Sequence, residues 1–176
     1  MASQIVRNFM KQQGFAEESP ATCDMHFTGL YFQPRIVFPL VIVGIILNVL
    51  GLIVASAVLF FALSAVLWWN VALPGLNPFE RLYNSAIAAP RGKTLLPPAP
   101  GPRRFAQGMA AVFMLVVGVS LLQGWQMIAW VFEAGLVLAF SALLFGKFCL
   151  GAYIYHLLRG EFAFANATLP WAHTQN

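Results

Sequence analysis

The longest apolar run of the chain, Ile36 to Trp69, reads IVFPLVIVGIILNVLGLIVASAVLFFALSAVLWW and contains no charged residue. As one α-helix rising about 1.5 Å per residue it would be roughly 50 Å long, well past a hydrocarbon core of about 30 Å. Two spans fit better, and Asn48 followed by Gly51 marks the turn between them. One long tilted or kinked helix is the competing reading. Trp68 and Trp69 close the second span where an aromatic belt belongs.

Composition agrees. The chain is 60% hydrophobic and 9% charged, whereas a soluble domain is about 25% charged. Such a chain cannot hide its apolar surface in its own core and needs lipid around it. Its 176 residues suit one domain. The net charge of +4 is small and gathers on no basic face, so no nucleic-acid partner is expected. The first apolar run begins only at Ile36, so no cleavable signal peptide is expected either.

Working outward, residues 1–33 form an N-terminal amphipathic or interfacial segment. Ile5, Val6, Phe9 and Met10 share one side at helical spacing, with Arg7, Asn8, Lys11 and Gln12 opposite and Gly14 as a stop. This helix is read as an interfacial anchor or partner-docking element, the alternative being a frayed polar terminus. Residues 34–70 are the first transmembrane hairpin. Residues 71–104 hold seven of the eleven prolines and five of the ten Lys and Arg residues, which predicts a water-facing cytoplasmic loop. Within it, Asn77 and Pro78 start a short helix, and LLPPAPGP is a stiff extended spacer. Residues 105–158 are the second hairpin, turning at QGWQ; its last apolar run, Met127 to Leu158, is too long for one span and should protrude or bend near Gly146. Residues 159–176 are a surface tail with Trp171 as an interface anchor.

Charge sets the orientation. The turns within the two hairpins carry no Lys or Arg, and all ten lie ahead of the first apolar run at Ile36, in the central loop, or at the end of the last span and tail. The positive-inside rule then predicts that these segments all face the cytoplasm, N-in and C-in. Both cysteines, Cys23 and Cys149, fall on the reducing side, where a lasting disulfide is not expected.

Glu133 is the one carboxylate inside the apolar runs. It is a candidate intramembrane relay, weighed against an interfacial Glu beside Trp125 and Trp130. Lys147, fourteen residues on, lies about 21 Å away along a helix and cannot pair with it; it is read as a snorkelling lysine. Cys149, Tyr153 and His156 share one helical stripe. A thiolate at Cys149 would be favoured by Lys147 or a protonated His156, while a lone cysteine among apolar residues is more often an inert packing group. Cys23 and His26 have ligand-like spacing, but two ligands do not make a site; joining Cys149 and His156 to them would require the N-terminal loop to fold onto the last helix, and no metal site is assigned. Gly135 and Ala139, spaced by four, together with Gly44, Gly51, Gly108 and Gly118, are read as helix-packing positions. Gly146 and Gly151 allow bending or close packing. Phosphate loops, HExxH, GxSxG and dinucleotide fingerprints are absent.

PPAPGPRRFAQGMA and FGKFCLGAYIY, in the setting of four short spans, resemble the bacterial integral membrane family catalogued as domain of unknown function 4395. The resemblance covers about Pro34 to Leu158. Its members carry an Arg-Phe-Ala step at the start of span three, matched by Arg104, Phe105 and Ala106. They also carry Phe-Cys-x-Gly-Cys at the end of span four, matched by Phe148, Cys149 and Gly151, with Ala152 in place of the second cysteine. Vicinal-thiol chemistry is therefore closed to this pair, unless Cys23 substitutes. The family has no established activity.

These readings converge on an all-α integral membrane four-helix bundle of two transmembrane hairpins, with an N-terminal amphipathic helix and a Pro-rich loop. The leading expectation is an accessory or interaction subunit that packs against a membrane-protein partner or a second copy within the bilayer. Two alternatives stand beside it: a thiol-dependent redox or sulfur-handling protein using Cys149 with Cys23, modulated by Lys147, His156 and Tyr153, and a small proton- or ion-coupled transporter using Glu133. No cofactor can be named.

Overall fold

Four apolar stretches become helices because a backbone among apolar side chains satisfies its N–H and C=O groups most fully within its own segment. The computed structural model describes residues 4–15, 28–93 and 95–172. The helices are α1 (Gln4–Gln12), α2 (Phe32–Val49), α3 (Ile53–Ala72), α4 (Pro78–Tyr83), α5 (Gly101–Leu122), α6 (Gln126–Leu144), α7 (Leu150–Leu158) and α8 (Phe162–Ala167). No strand occurs among the described residues. The helices containing α2, α3, α5 and α6 are long and apolar enough to cross a membrane.

The run from Ile36 to Trp69 is two helices. After α2, Gly51 takes a left-handed φ of 76°, its N–H donates to the Asn48 carbonyl, and the Leu52 N–H reaches back to Leu47 at 2.9 Å. Gly124 repeats the device between α5 and α6, with φ 72° and the Trp125 N–H on the Ser120 carbonyl at 2.8 Å. Both are glycine C-caps that satisfy the last carbonyls of a helix. Gly51 thus serves the turn, with open space where a Cβ would stand, rather than a helix contact. The third break follows α6, where Lys147 itself adopts φ 51° and the Phe148 N–H closes on the Ala142 carbonyl at 3.1 Å. The long last run therefore bends next to Gly146.

The four long helices close a ring, α2 on α3 and α6, α5 on α3 and α6. The central seam is built from Val41, Phe60, Met114, Val117 and Leu136. A Cβ on Gly44 would stand 2.8 Å from the Phe60 ring, and one on Gly118 2.7 Å from Phe61. Hydroxyls add interhelical hydrogen bonds, Ser56 Oγ to the Gly44 carbonyl and Ser64 Oγ to the Ala111 carbonyl, each 2.8 Å. The outward faces are apolar as well, with Val131 66% and Leu138 71% exposed.

At the end where α2 and α5 begin and α3 and α6 finish, called the loop end below, a second core forms a cap. It joins Phe9 and Met10 of α1, Tyr31, Tyr83, Leu96 and Cys149. Two expectations change here. The polar side of α1 is not solvated throughout: Asn8 and Gln12 are buried, and Asn8 Nδ2 donates to the Leu169 and Ala172 carbonyls of the tail. The Pro-rich segment is not simply a water-facing loop, since Tyr83, Ala88 and Leu96 are buried and Asn84 both donates to and accepts from the Leu96 backbone. In each case a polar side chain satisfies a distant backbone group, which a local pattern does not reveal. The helix start at Asn77 is as read: its Oδ1 accepts from the Phe79 and Glu80 N–H groups.

Candidate functional site

Between α2, α5, α6 and α7 lies a cavity of about 500 Å³, within the range of ligand pockets. Val37, Ala110, Leu136 and Leu143 make much of its wall apolar. Leu138 also lines it and is itself mostly exposed, so the cavity reaches the outer surface of the bundle. α5 and α6 touch through Phe113 and Phe132, ring centroids 4.9 Å apart, and the cavity lies on the loop-end side of that contact.

Its inner end is polar. Gln107 Nε2 donates to Gln33 Oε1 at 2.8 Å, and Arg103 Nη1 donates to Gln13 Oε1 at 3.1 Å. Arg103 Nε faces Glu80 Oε1 at 3.5 Å, both side chains being 7% exposed. Local structure places them: Pro102 sits in the first turn of α5, where its missing N–H costs nothing, and Arg103 and Gln107 follow one turn apart. The Asn77 cap starts α4, with Glu80 in its first turn. Burial pushes the Glu80 carboxyl above its ordinary range, and the Arg103 charge pulls it back.

Among the described residues seven buried side-chain polar atoms have no hydrogen-bond partner: Gln12 Nε2, both amide atoms of Asn70, Asn77 Nδ2, Gln107 Oε1, and the ion-paired Glu80 Oε1 and Arg103 Nε. A few per hundred residues is ordinary. Their grouping is not: all six residues belong to the loop end, at the last turn of α1 or α3, the cap and first turn of α4, or the first two turns of α5.

Cys149 lies on the cavity wall, just before α7, with its N–H donating to Gln12 Oε1 at 2.9 Å. Burial pushes its thiol up; backbone N–H groups and Arg103 oppose this less strongly. His156 is buried on the same helix, its Nε2 3.0 Å from the Gln12 carbonyl and its Nδ1 2.6 Å from Glu161 Oε2. Gln12 thereby brings Cys149 and His156 together. Tyr153 turns away, its hydroxyl donating to Asn166 Oδ1 at 3.0 Å. Lys147 is half-buried in the bend, and the cation acting on the thiol is Arg103. Cys23 and His26 lie outside the described residues. Among the described residues no three His, Cys, Asp or Glu side chains could hold a metal.

A Cβ on Gly151 would stand 2.6 Å from Ala106 Cα, so α7 lies directly on α5. A Cβ on Gly135 would stand 3.4 Å from Phe113, and one on Gly146, in the turn after α6, 2.8 Å from the carbonyl of Ala142. Ala139 lines the cavity.

Glu133 is far from this site. It is 4% exposed, buried between helices of the bundle. Asn48 Nδ2 donates to both of its oxygens at 3.0 and 3.1 Å, and Gln126 Nε2 donates to Asn48 Oδ1 at 2.8 Å. This network sits at the opposite end, where α2 finishes and α6 begins.

Sequence reasoning passed over Glu80, Arg103, Gln33, Gln107, Gln12 and Gln13. The available signal was two glutamines, Gln33 and Gln107, each close to the start of an apolar run. A family model described as a domain of unknown function, DUF4395, matches residues 33–159. The chain belongs to this family. The matched region of this DUF4395 chain holds Glu80, Arg103, Gln107 and Cys149 but not Gln12 or Gln13, so α1 adds to the site from outside it. No curated protein and no solved structure matches the chain.

Proposed function

We propose that the chain is an integral protein of the bacterial inner membrane, crossing it as two helical hairpins with both termini inside, and that its loop-end cavity binds an amphipathic molecule drawn from the bilayer. The observation that carries the reading is the cavity's asymmetry. An apolar channel reaches the apolar outer face beside Leu138 and ends on Gln33, Arg103 and Gln107. A molecule with a hydrocarbon tail and a polar head suits both parts. The apolar outer faces support insertion. The gathering of every Lys and Arg at the loop end supports the orientation.

The other readings rank below it. Exposed apolar helix faces would serve an accessory subunit, but plain lipid contact asks for the same faces. A reactive cysteine needs an electropositive, partly open setting that lowers its pKa, whereas Cys149 is buried with its thiol pushed up. Glu133 is held by Asn48 at the end away from the cavity.

The test is to purify the full chain from membranes in mild detergent and identify co-purifying lipids by mass spectrometry, alongside Ala139→Trp, which fills the cavity. A defined lipid retained by the wild type and lost from a stably folded Ala139→Trp supports the reading; the same bulk lipid mixture on both refutes it. Orientation is read with a membrane-impermeant maleimide on Ser85→Cys and Gln123→Cys in a background lacking both native cysteines. Ser85→Cys should label from the cytoplasmic side and Gln123→Cys from the other.

A further inference from the structure

Resting on the proposed lipid cavity, we infer that the polar end is built for an uncharged head group that both donates and accepts hydrogen bonds. Among the described residues Arg103 is the one charged residue on the cavity wall, and Glu80 stands behind it at 3.5 Å. The neighbouring Arg104 is committed elsewhere, its Nε and Nη2 donating to the Val71 carbonyl at 3.0 and 2.6 Å. Among the described residues the charges at the head of the cavity, Arg103 and Glu80, therefore cancel. An anionic head would draw Arg103 off Glu80 and strand a buried carboxylate, and breaking a buried pair is strongly unfavourable. A cationic head would compete with Arg103 for the same carboxylate. An uncharged head meets neither penalty.

The polar groups on the cavity wall are of both kinds. Gln107 Oε1 is an unpartnered acceptor, and the Arg103 guanidinium and the side-chain amides of Gln13 and Gln33 carry donor N–H groups. Gln107 is 8% exposed and lines the cavity. Hydroxyl or carbonyl oxygens, reaching this layer directly or through water, can serve both sets. The ligand class is thus an uncharged isoprenoid or acyl lipid with a hydroxylated or keto head. A prenyl quinone, a prenyl alcohol and a diacylglycerol share that chemistry.

The full-length protein in detergent is offered these three probes together with phosphatidic acid and a fatty acid at equal concentration, and bound species are read by native mass spectrometry. At least one uncharged probe should be retained about tenfold over both anionic ones, the factor one charge-assisted hydrogen bond is worth, and the three arms show which head is preferred. Glu80→Gln removes the balancing charge and should move the preference toward phosphatidic acid by about tenfold. The double variant Glu80→Gln, Arg103→Gln should return it to the uncharged probe, and keeps the test available where the single variant does not fold. Preference of the wild type for an anionic probe overturns the inference while leaving the cavity reading intact, as does an unchanged ratio in Glu80→Gln. Retention of every probe by Ala139→Trp removes the cavity reading and the inference with it.

Discussion

Replacing Gly151 by alanine should loosen the cap and expose the Cys149 thiol. A Cβ there would lie 2.6 Å from both Ala106 Cα and Ala106 Cβ. Carbon atoms rest at about 3.5–4.0 Å, so the start of α7 must retreat from α5 by about 1 Å, because one of the obstructing atoms is backbone and cannot swing aside. Overpacking of this kind costs about 1–3 kcal/mol. The retreating segment begins at Cys149, whose N–H ties α7 to Gln12 of α1 at 2.9 Å and which is only 7% exposed. Each 1.4 kcal/mol lost locally raises the open population about tenfold. In a Cys23→Ser background in detergent, the rate of Cys149 labelling by a small maleimide should therefore rise about tenfold or more, and the melting temperature should fall. Gly75→Ala is the control, since a Cβ at Gly75 meets nothing within 4 Å; it should stay within about 0.5 kcal/mol of the parent. Equal labelling rates and equal melting for Gly151→Ala and Gly75→Ala would refute the packing argument.

Asn48→Leu strips the buried Glu133 carboxyl of its donor and should destabilise by about 1.5–3 kcal/mol in thermal unfolding, while Glu133→Gln, which keeps an acceptor oxygen facing Asn48, should cost less. Gly51→Ala should cost about 1–2 kcal/mol from its left-handed backbone alone, although no neighbouring atom is touched; a neutral melt would contradict this. The Glu161 carboxyl is held below its ordinary range first by its hydrogen bond with His156. Its folded pKa lies below the unfolded value of about 4.3, so its stabilising contribution is full above that value and is lost as pH falls through the folded one. The melting-temperature gap between wild type and Glu161→Gln should thus be present above that value and narrow as the pH falls below it. A gap that instead opens on acidification would show the sign to be wrong.

The four long helices were legible because a run of apolar residues is a property of the segment itself, and the turns were legible because glycine supplies φ > 0 cheaply. The helix start at Asn77 and Pro78 was legible for the same local reason. Lys147 was read as a snorkelling cation; its left-handed backbone, a conformation uncommon outside glycine, carried no local mark. For α1 the apolar periodicity correctly identified Val6, Phe9 and Met10 as a packing face. It could not say whether Asn8 and Gln12 would meet water or, as they do, the backbone of the tail and of Cys149.

The cavity and its head group belong to tertiary structure alone. Gln33 meets Gln107 across 74 positions of sequence and Arg103 meets Gln13 across 90, and every partner in these pairs reads in isolation as an ordinary polar residue near a helix end. Sequence by itself determined where the chain is apolar enough for a membrane and where it must turn, since both follow from transfer free energy and backbone sterics within a few residues. Which polar groups face one another, and that Glu80 cancels the charge of Arg103, was decided only when α1, α4, α5 and α7 came together, because Coulomb and hydrogen-bond energies depend on separation in space.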